Sequence, residues 1–152
     1  MNSLARLVVF QLDEWRYALR LEDVARVVMA AEITPLPRAP AVIAGVINVQ
    51  GNVVPVMNIR MRFGLPPRET GPGDHLILAK TPKRSVALVV DAVTGMVTRP
   101  VSAITAPGQI LPSVPYVEGV VKLEDGLVFI HNLETFLSIE EETALEEAMA
   151  SH

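Results

Sequence analysis

Read for its apolar and polar positions, the chain is a succession of short runs rich in β-branched residues, punctuated at regular intervals by turn residues. Ten such runs stand out, at 7–12, 15–19, 24–29, 45–49, 53–58, 75–80, 85–90, 96–99, 117–123 and 127–132. Valine, isoleucine and aromatic side chains fit a pleated surface, so this pattern predicts an all-β fold, a barrel or a sandwich. Gln50-Gly51-Asn52 and Glu124-Asp125-Gly126 carry the Gly and Asn that supply positive φ in hairpin loops, and each predicts a two-strand hairpin. Prolines gather at Pro35, Pro37 and Pro40 and again at Pro107, Pro112 and Pro115, where they stiffen connections. Pro55 falls inside a strand pattern; lacking an N–H for the ladder, it predicts an edge position or a bulge.

One segment has a helical period instead. Ser138 followed by Glu141 has the form of a capping box, and Ala144, Leu145, Ala148 and Met149 make the apolar face of a helix over 139–149. Its other face carries Glu140, Glu142, Glu146 and Glu147 and reads as solvated.

The strand pattern also repeats. Shifted by 74 positions, Gly45-Val46-Ile47 falls on Gly119-Val120-Val121, Val53-Val54 on Leu127-Val128, Val56 on Ile130, and Asn58-Ile59 on Asn132-Leu133. At a slightly different offset Ala18-Leu19, Val24 and Val27 recur as Ala87-Leu88, Val93 and Met96. Two copies of a unit too small to bury both its faces predict two like barrels sharing an apolar interface, with a groove between them as a docking site. On this reading residues 1–152 form a single domain whose halves run from roughly 15 to 83 and 84 to 140, followed by the helix.

Composition narrows the chemistry. Half of the residues are hydrophobic and mean hydropathy is +0.36, yet every apolar run breaks far short of the roughly 20 residues a membrane helix needs. The apolarity therefore belongs to a core, with no direct membrane insertion. The N-terminus carries no export pattern, which makes the cytoplasm the expected compartment. There is no cysteine, so disulfides and thiolate chemistry are excluded. The net charge is −4 and the 13 Lys and Arg are scattered, which argues against nucleic acid as a partner. The only histidines, His75, His131 and His152, match no metal spacing. His131 with Asp91 and Ser85 makes a formal triad without a nucleophile elbow, so His131 reads as a strand histidine at a barrel surface and the protein as no enzyme. No cofactor motif is present.

The ordered set Tyr17-Ala18-Leu19, Val24, Val27, Pro37, Pro40, Ile43, Gly45 to Asn48, Gly51, Pro55, Asn58-Ile59-Arg60 and Phe63-Gly64 resembles the chemotaxis coupling protein (CheW) family. Val89-Val90-Asp91, Val93, Ile104, Pro107, Gly119-Val120, Leu133 and Leu137 extend the resemblance over roughly residues 5 to 140. The resemblance implies two packed SH3-like five-stranded barrels. It implies an adaptor that couples methyl-accepting chemoreceptors to the histidine kinase CheA within a signalling array, binding the kinase regulatory domain and the receptor's cytoplasmic tip. It places the receptor groove at Val24, Arg26, Val27, Gly45, Asn48, Gln50, Gly119 and Val120. A second reading is a CheW-like scaffold of a non-motility or twitching-motility pathway. Many relatives carry Glu where this chain has Arg26 and Arg where it has Gln50, so both members of a complementary pair are changed and partner choice is expected to change with them.

Overall fold

A computed structural model describes residues 3–29, 32–68, 71, 73–106, 116–124 and 126–150. Asp125, His152 and the prolines at 107, 112 and 115 lie outside these residues. Eleven strands are described: β1 (Leu4–Leu12), β2 (Trp15–Arg20), β3 (Val24–Met29), β4 (Ile43–Val49), β5 (Asn52–Met57), β6 (His75–Lys80), β7 (Ser85–Val90), β8 (Ala92–Pro100), β9 (Ile104–Thr105), β10 (Val117–Leu123) and β11 (Gly126–His131). A single helical turn, α1 (Ile59–Arg62), follows β5, and α2 (Ile139–Ala150) ends the described chain. Every predicted strand forms. Only β9 was not foreseen, because two residues make no pattern.

The strands build two sheets, ordered β8-β1-β2-β11-β10-β9 and β3-β6-β7-β5-β4. The chain that leaves β8 reaches the far edge of its own sheet at β9, which pairs with β10 through Val120↔Thr105. The second sheet has the same device in reduced form, a bridge from Thr34 to Val46 on β4. One stretch of chain thus supplies both edges of each sheet and rolls it into a small barrel.

The two barrels are copies in detail. β4 pairs with β5, and β5 runs parallel to β7 through Val56↔Ala87; β10 pairs with β11, and β11 runs parallel to β2 through Ile130↔Ala18. Burial along β4 and β10 is the same residue by residue, as it is along β5 and β11. The Asn58 N–H donates to the Val42 carbonyl at 2.7 Å, and the Asn132 N–H to the Tyr116 carbonyl at 2.7 Å. Both asparagine side chains also cap the short helical turn that follows.

The contiguous halves expected from the repeat need correcting. β3 follows β2 in the chain but pairs with β6, while β8 follows β7 but pairs with β1. The second sheet is the contiguous run β3 to β7, set into a first sheet made of β1, β2 and β8 to β11, so a division at residue 83 leaves β2 and β7 each on the wrong side and separates neither barrel. Pro55 also differs from expectation. Its strand is interior to the sheet, but the parallel ladder to β7 begins one residue later at Val56, so at Pro55 only β4 lies alongside.

Three apolar clusters fill the molecule. One lies in each barrel: Leu7, Val9, Val121 and Ile130 with their neighbours in the first, Ile47, Val54, Leu76 and Leu78 in the second. The third and largest joins the barrels and contains Phe10, Leu19, Val46, Ile77, Leu88, Val120 and Phe136. Successive residues of one strand serve different clusters, Val46 between the barrels and Ile47 inside one. This is why the strands read as continuous apolar runs.

Candidate docking site

The β3 strand is the outer edge of its sheet and presents Ala25, Arg26, Val27 and Met29 to solvent. Across the sheet, β4 and β5 meet in a two-residue turn with Gln50 at φ 51° and Gly51 at φ 86°, the left-handed pair that matches strand twist. The Gly51 N–H donates to Asn48 Oδ1 at 2.8 Å, so Asn48 holds this turn in shape. Between β3, the turn and the β6–β7 hairpin lies a depression of about 540 Å³ lined by both Arg26 and Gln50. Val49, Val53, Pro55 and Leu78 are among its apolar lining, and Arg84 and Met149 also border it. Val53 is 45% exposed, an apolar side chain left uncovered at the rim.

The predicted groove residues therefore divide. Arg26 and Gln50 meet in one depression, with Val27 exposed beside them, and Asn48 shapes the turn. Val24 is half-buried and packs against the inter-barrel cluster. Gly45, Gly119 and Val120 correct the prediction, since all three are buried. Val120 belongs to the inter-barrel cluster, and the glycines lie under a crossing strand. A Cβ on Gly45 would sit 2.3 Å from the Thr34 carbonyl oxygen, and one on Gly119 2.5 Å from Ile104 Cγ2. These positions build the barrels and present no side chain to a partner. The junction between the barrels is packed, leaving a smaller hollow of about 290 Å³ by Met57, Leu133 and Leu137.

The role of α2 was missed. Its capping box forms as predicted, Glu141 N–H to Ser138 Oγ at 3.1 Å and Ser138 N–H to Glu141 Oε1 at 2.9 Å. Leu145 and Ala148 are buried in the inter-barrel cluster, which seats the helix on the barrels and brings Met149 to the depression. The acidic face is engaged and not merely solvated. Glu142 and Glu146 pair with Arg84 at 3.3 and 3.2 Å, and Glu141 pairs with Arg62. Although burial opposes its ionisation, the Arg62 hydrogen bond holds the Glu141 carboxyl below the usual range. The signal for this was the alternation of Glu with a buried Leu and Ala, but a sequence does not name the arginines that answer it.

Elsewhere the charged groups clasp loops together. Arg60, with a side chain only 9% exposed, donates to both oxygens of Asp13 at 2.8 and 3.0 Å and to both of Asp91 at 2.8 Å. Arg68 links Asp91 to the buried Asp74. The Asp13 hydrogen bond raises the Arg60 pKa further, so the clasp stays charged. Burial works against the Asp91 carboxylate, but its bonds from Arg60, the Asp13 N–H and Arg68 hold its pKa below the ordinary value. The clasp ties the β1–β2 turn, α1 and the start of β8, which belong to different barrels.

His131 is buried and not at a surface. Its ring meets Phe63 and Phe136 edge-on at 5.1 and 5.2 Å, and neither ring nitrogen has a hydrogen-bond partner. Burial pushes its pKa down to about 3, so it stands neutral. It makes no contact of the triad kind with Ser85 or Asp91, whose carboxylate is committed to arginines. No helix among the described residues is long and apolar enough to cross a membrane.

The profile of the CheW-like domain family matches residues 6–141. The chain is 22% identical over 142 residues to the chemotaxis protein CheW of Treponema pallidum, a match spanning 90% of this chain and 84% of that one. It is 31% identical over 97 residues to the chemotaxis protein CheW of Rhizobium meliloti, spanning 64% and 63%. Protein FrzA of Myxococcus xanthus is 32% identical over 98 residues, spanning 64% and 61%. The crystal structure of the scaffolding protein TtCheW from Thermoanaerobacter tengcongensis superposes with a TM-score of 0.82 at 29% identity, covering 93% of this chain and 92% of that one.

Proposed function

Since the chain belongs to the CheW-like domain family, we propose that it is a chemotaxis adaptor that couples methyl-accepting chemoreceptors to the histidine kinase CheA. The observation that carries this reading is the near full-length superposition on a scaffolding protein, in which both barrels take part. The kinase partner on this reading is its regulatory domain, and the receptor partner is its cytoplasmic tip. The receptor docks on the face formed by β3 and the β4–β5 turn, with Val24, Arg26, Val27 and Gln50 at the contact.

An adaptor of this kind works without chemistry of its own. Binding to one partner raises the effective concentration of the other, so two modest interfaces make a durable assembly. Control of the kinase then follows from which receptor state the assembly favours. The packed inter-barrel core suits this work, because it holds both docking surfaces in fixed relation. The alternative of a scaffold in a non-motility or twitching-motility pathway is not favoured, since both CheW relatives described above bear chemotaxis names.

The test is a pull-down of the purified protein against the isolated regulatory domains of the organism's CheA-type kinases and against receptor cytoplasmic fragments. Specific micromolar binding to both is expected. Binding to neither would sink the adaptor reading.

A further inference from the structure

The depression beside β3 has a one-sided charge. Among the described residues its lining includes two cationic side chains, Arg26 and Arg84, and no carboxylate. Arg84 is answered from α2 by Glu142 and Glu146. Arg26 is exposed, its neighbour Gln50 is neutral, and among the described residues no carboxylate lies within ion-pair distance of it. An unanswered guanidinium beside an uncovered apolar surface that includes Val53 is complementary to a carboxylate on an apolar partner, because the guanidinium fork matches carboxylate geometry. The volume of about 540 Å³ is that of a ligand-sized cleft.

Resting on the adaptor reading above, we propose that this depression receives an acidic segment of the receptor tip. Arg26 holds the segment's carboxylate while its apolar side chains lie against Val53 and Met149. The C-terminal helix is thereby part of the docking site: its buried Leu145 and Ala148 fix Met149 as a wall, and its glutamates leave Arg26, among the described residues, as the one uncompensated cation of the lining. Charge and apolar contact are contributed by different residues, so they can be removed separately.

The experiment measures binding of the full chain to a receptor cytoplasmic hairpin fragment by titration calorimetry at low and high salt. The kinase regulatory domain serves as the second probe. Arg26→Glu should weaken receptor binding by roughly tenfold or more at low salt, since it converts an attraction into a repulsion. The loss should shrink near 1 M salt, where the screening length is only about 3 Å. Met149→Ala should weaken binding by about threefold at both salts, the cost of lost apolar area. Replacing an acidic residue of the receptor fragment by lysine should restore binding to the Arg26→Glu protein, which a structural role for Arg26 would not do.

Receptor binding by Arg26→Glu that is as tight as, or tighter than, that of the parent would overturn the proposal while leaving the adaptor reading intact. So would a loss undiminished at high salt. Self-association of the parent chain that Arg26→Glu abolishes, with receptor binding unchanged, would put a second copy in the depression and overturn it equally. If the parent binds neither probe, the adaptor reading fails and this proposal fails with it.

Discussion

Gly45 and Gly119 occupy the same place in the two units, yet alanine should cost far more at one than at the other. A Cβ at position 45 lies 2.3 Å from the Thr34 carbonyl oxygen, backbone that has nowhere to turn. That is short of ordinary contact by about 1 Å. Relief requires Thr34 to leave Val46, breaking the two bonds between them at 2.9 and 2.8 Å. Each such bond contributes about 1 kcal/mol net. The backbone at Gly45, φ +154°, adds strain of roughly 1 to 3 kcal/mol for any side chain. Gly45→Ala should therefore destabilise by about 3 to 5 kcal/mol, or lower Tm by about 10 °C in a chain of this size. At Gly119 the obstacle is the Ile104 methyl at 2.5 Å, the end of a side chain that can yield. Its displacement costs on the order of 1 kcal/mol, partly offset by the lower entropy of an unfolded chain carrying alanine. Calorimetric unfolding with urea titration of both variants measures the difference. Equal losses, or a larger loss at Gly119, would refute the claim that backbone contact at Gly45 sets the cost.

The remaining predictions concern buried polar groups and the helix. His131 has a folded pKa of about 3 against an ordinary 6.5, so the stability that depends on its neutrality is present above pH 6.5 and drains away as pH falls toward 3. His131→Leu should flatten that part of the stability–pH curve, and an unchanged acid limb would count against a buried neutral imidazole. Arg60→Met leaves the Asp13 and Asp91 carboxylates facing one another, and should cost about 2 to 4 kcal/mol in urea denaturation, less than a fully buried pair because both acids are partly exposed. An unchanged midpoint would show the clasp to be idle. Ser138→Ala removes the Oγ acceptor of the capping box and should cost about 1 kcal/mol. Its amide protons in the first turn of α2 should exchange faster, and unchanged protection there would contradict the role assigned to the cap.

How far the sequence could be read depended on the range of the interaction. Strands β3, β6, β7 and β10 have the bounds their patterns predicted, because alternation and turn residues are local. The repeat at 74 positions foretold two barrels, and the asparagines it superposed, Asn58 and Asn132, turn out to make the same hydrogen bond in each. What local pattern does not encode is pairing. That β8 joins β1 across the whole of the second sheet depends on strands far apart in the chain, and the contiguous division failed at β2 and β7, which it put with the wrong barrels. The same limit explains the site. Arg26 and Gln50 were legible from their place in a motif, but Met149 and Arg84 reach the depression only because α2 packs back across the barrels. Gly45 and Gly119 were misread because a glycine needed for a close backbone crossing and one bared to a partner look alike in one dimension. His131 misled for a related reason: a strand residue's face follows from what is packed beyond the sheet.

The second sheet is one unbroken run of chain, β3 to β7, set between β2 and β8 of the first, and this bears on how the molecule comes apart. The first sheet closes only when β8 and β11 return to β1 and β2 from beyond that insert. What couples the two is the apolar cluster between them, to which Phe10 and Val120 come from one sheet and Val46 and Ile77 from the other, so neither barrel keeps that face covered when its neighbour opens. The slowest-exchanging amides of both sheets should then report similar free energies, and a chain severed between β7 and β8 should lose the first sheet. For a protein gripped at two surfaces, the consequence is mechanical: a load applied at β3 reaches the first barrel through that shared apolar contact, and one grip slackens when the other fails.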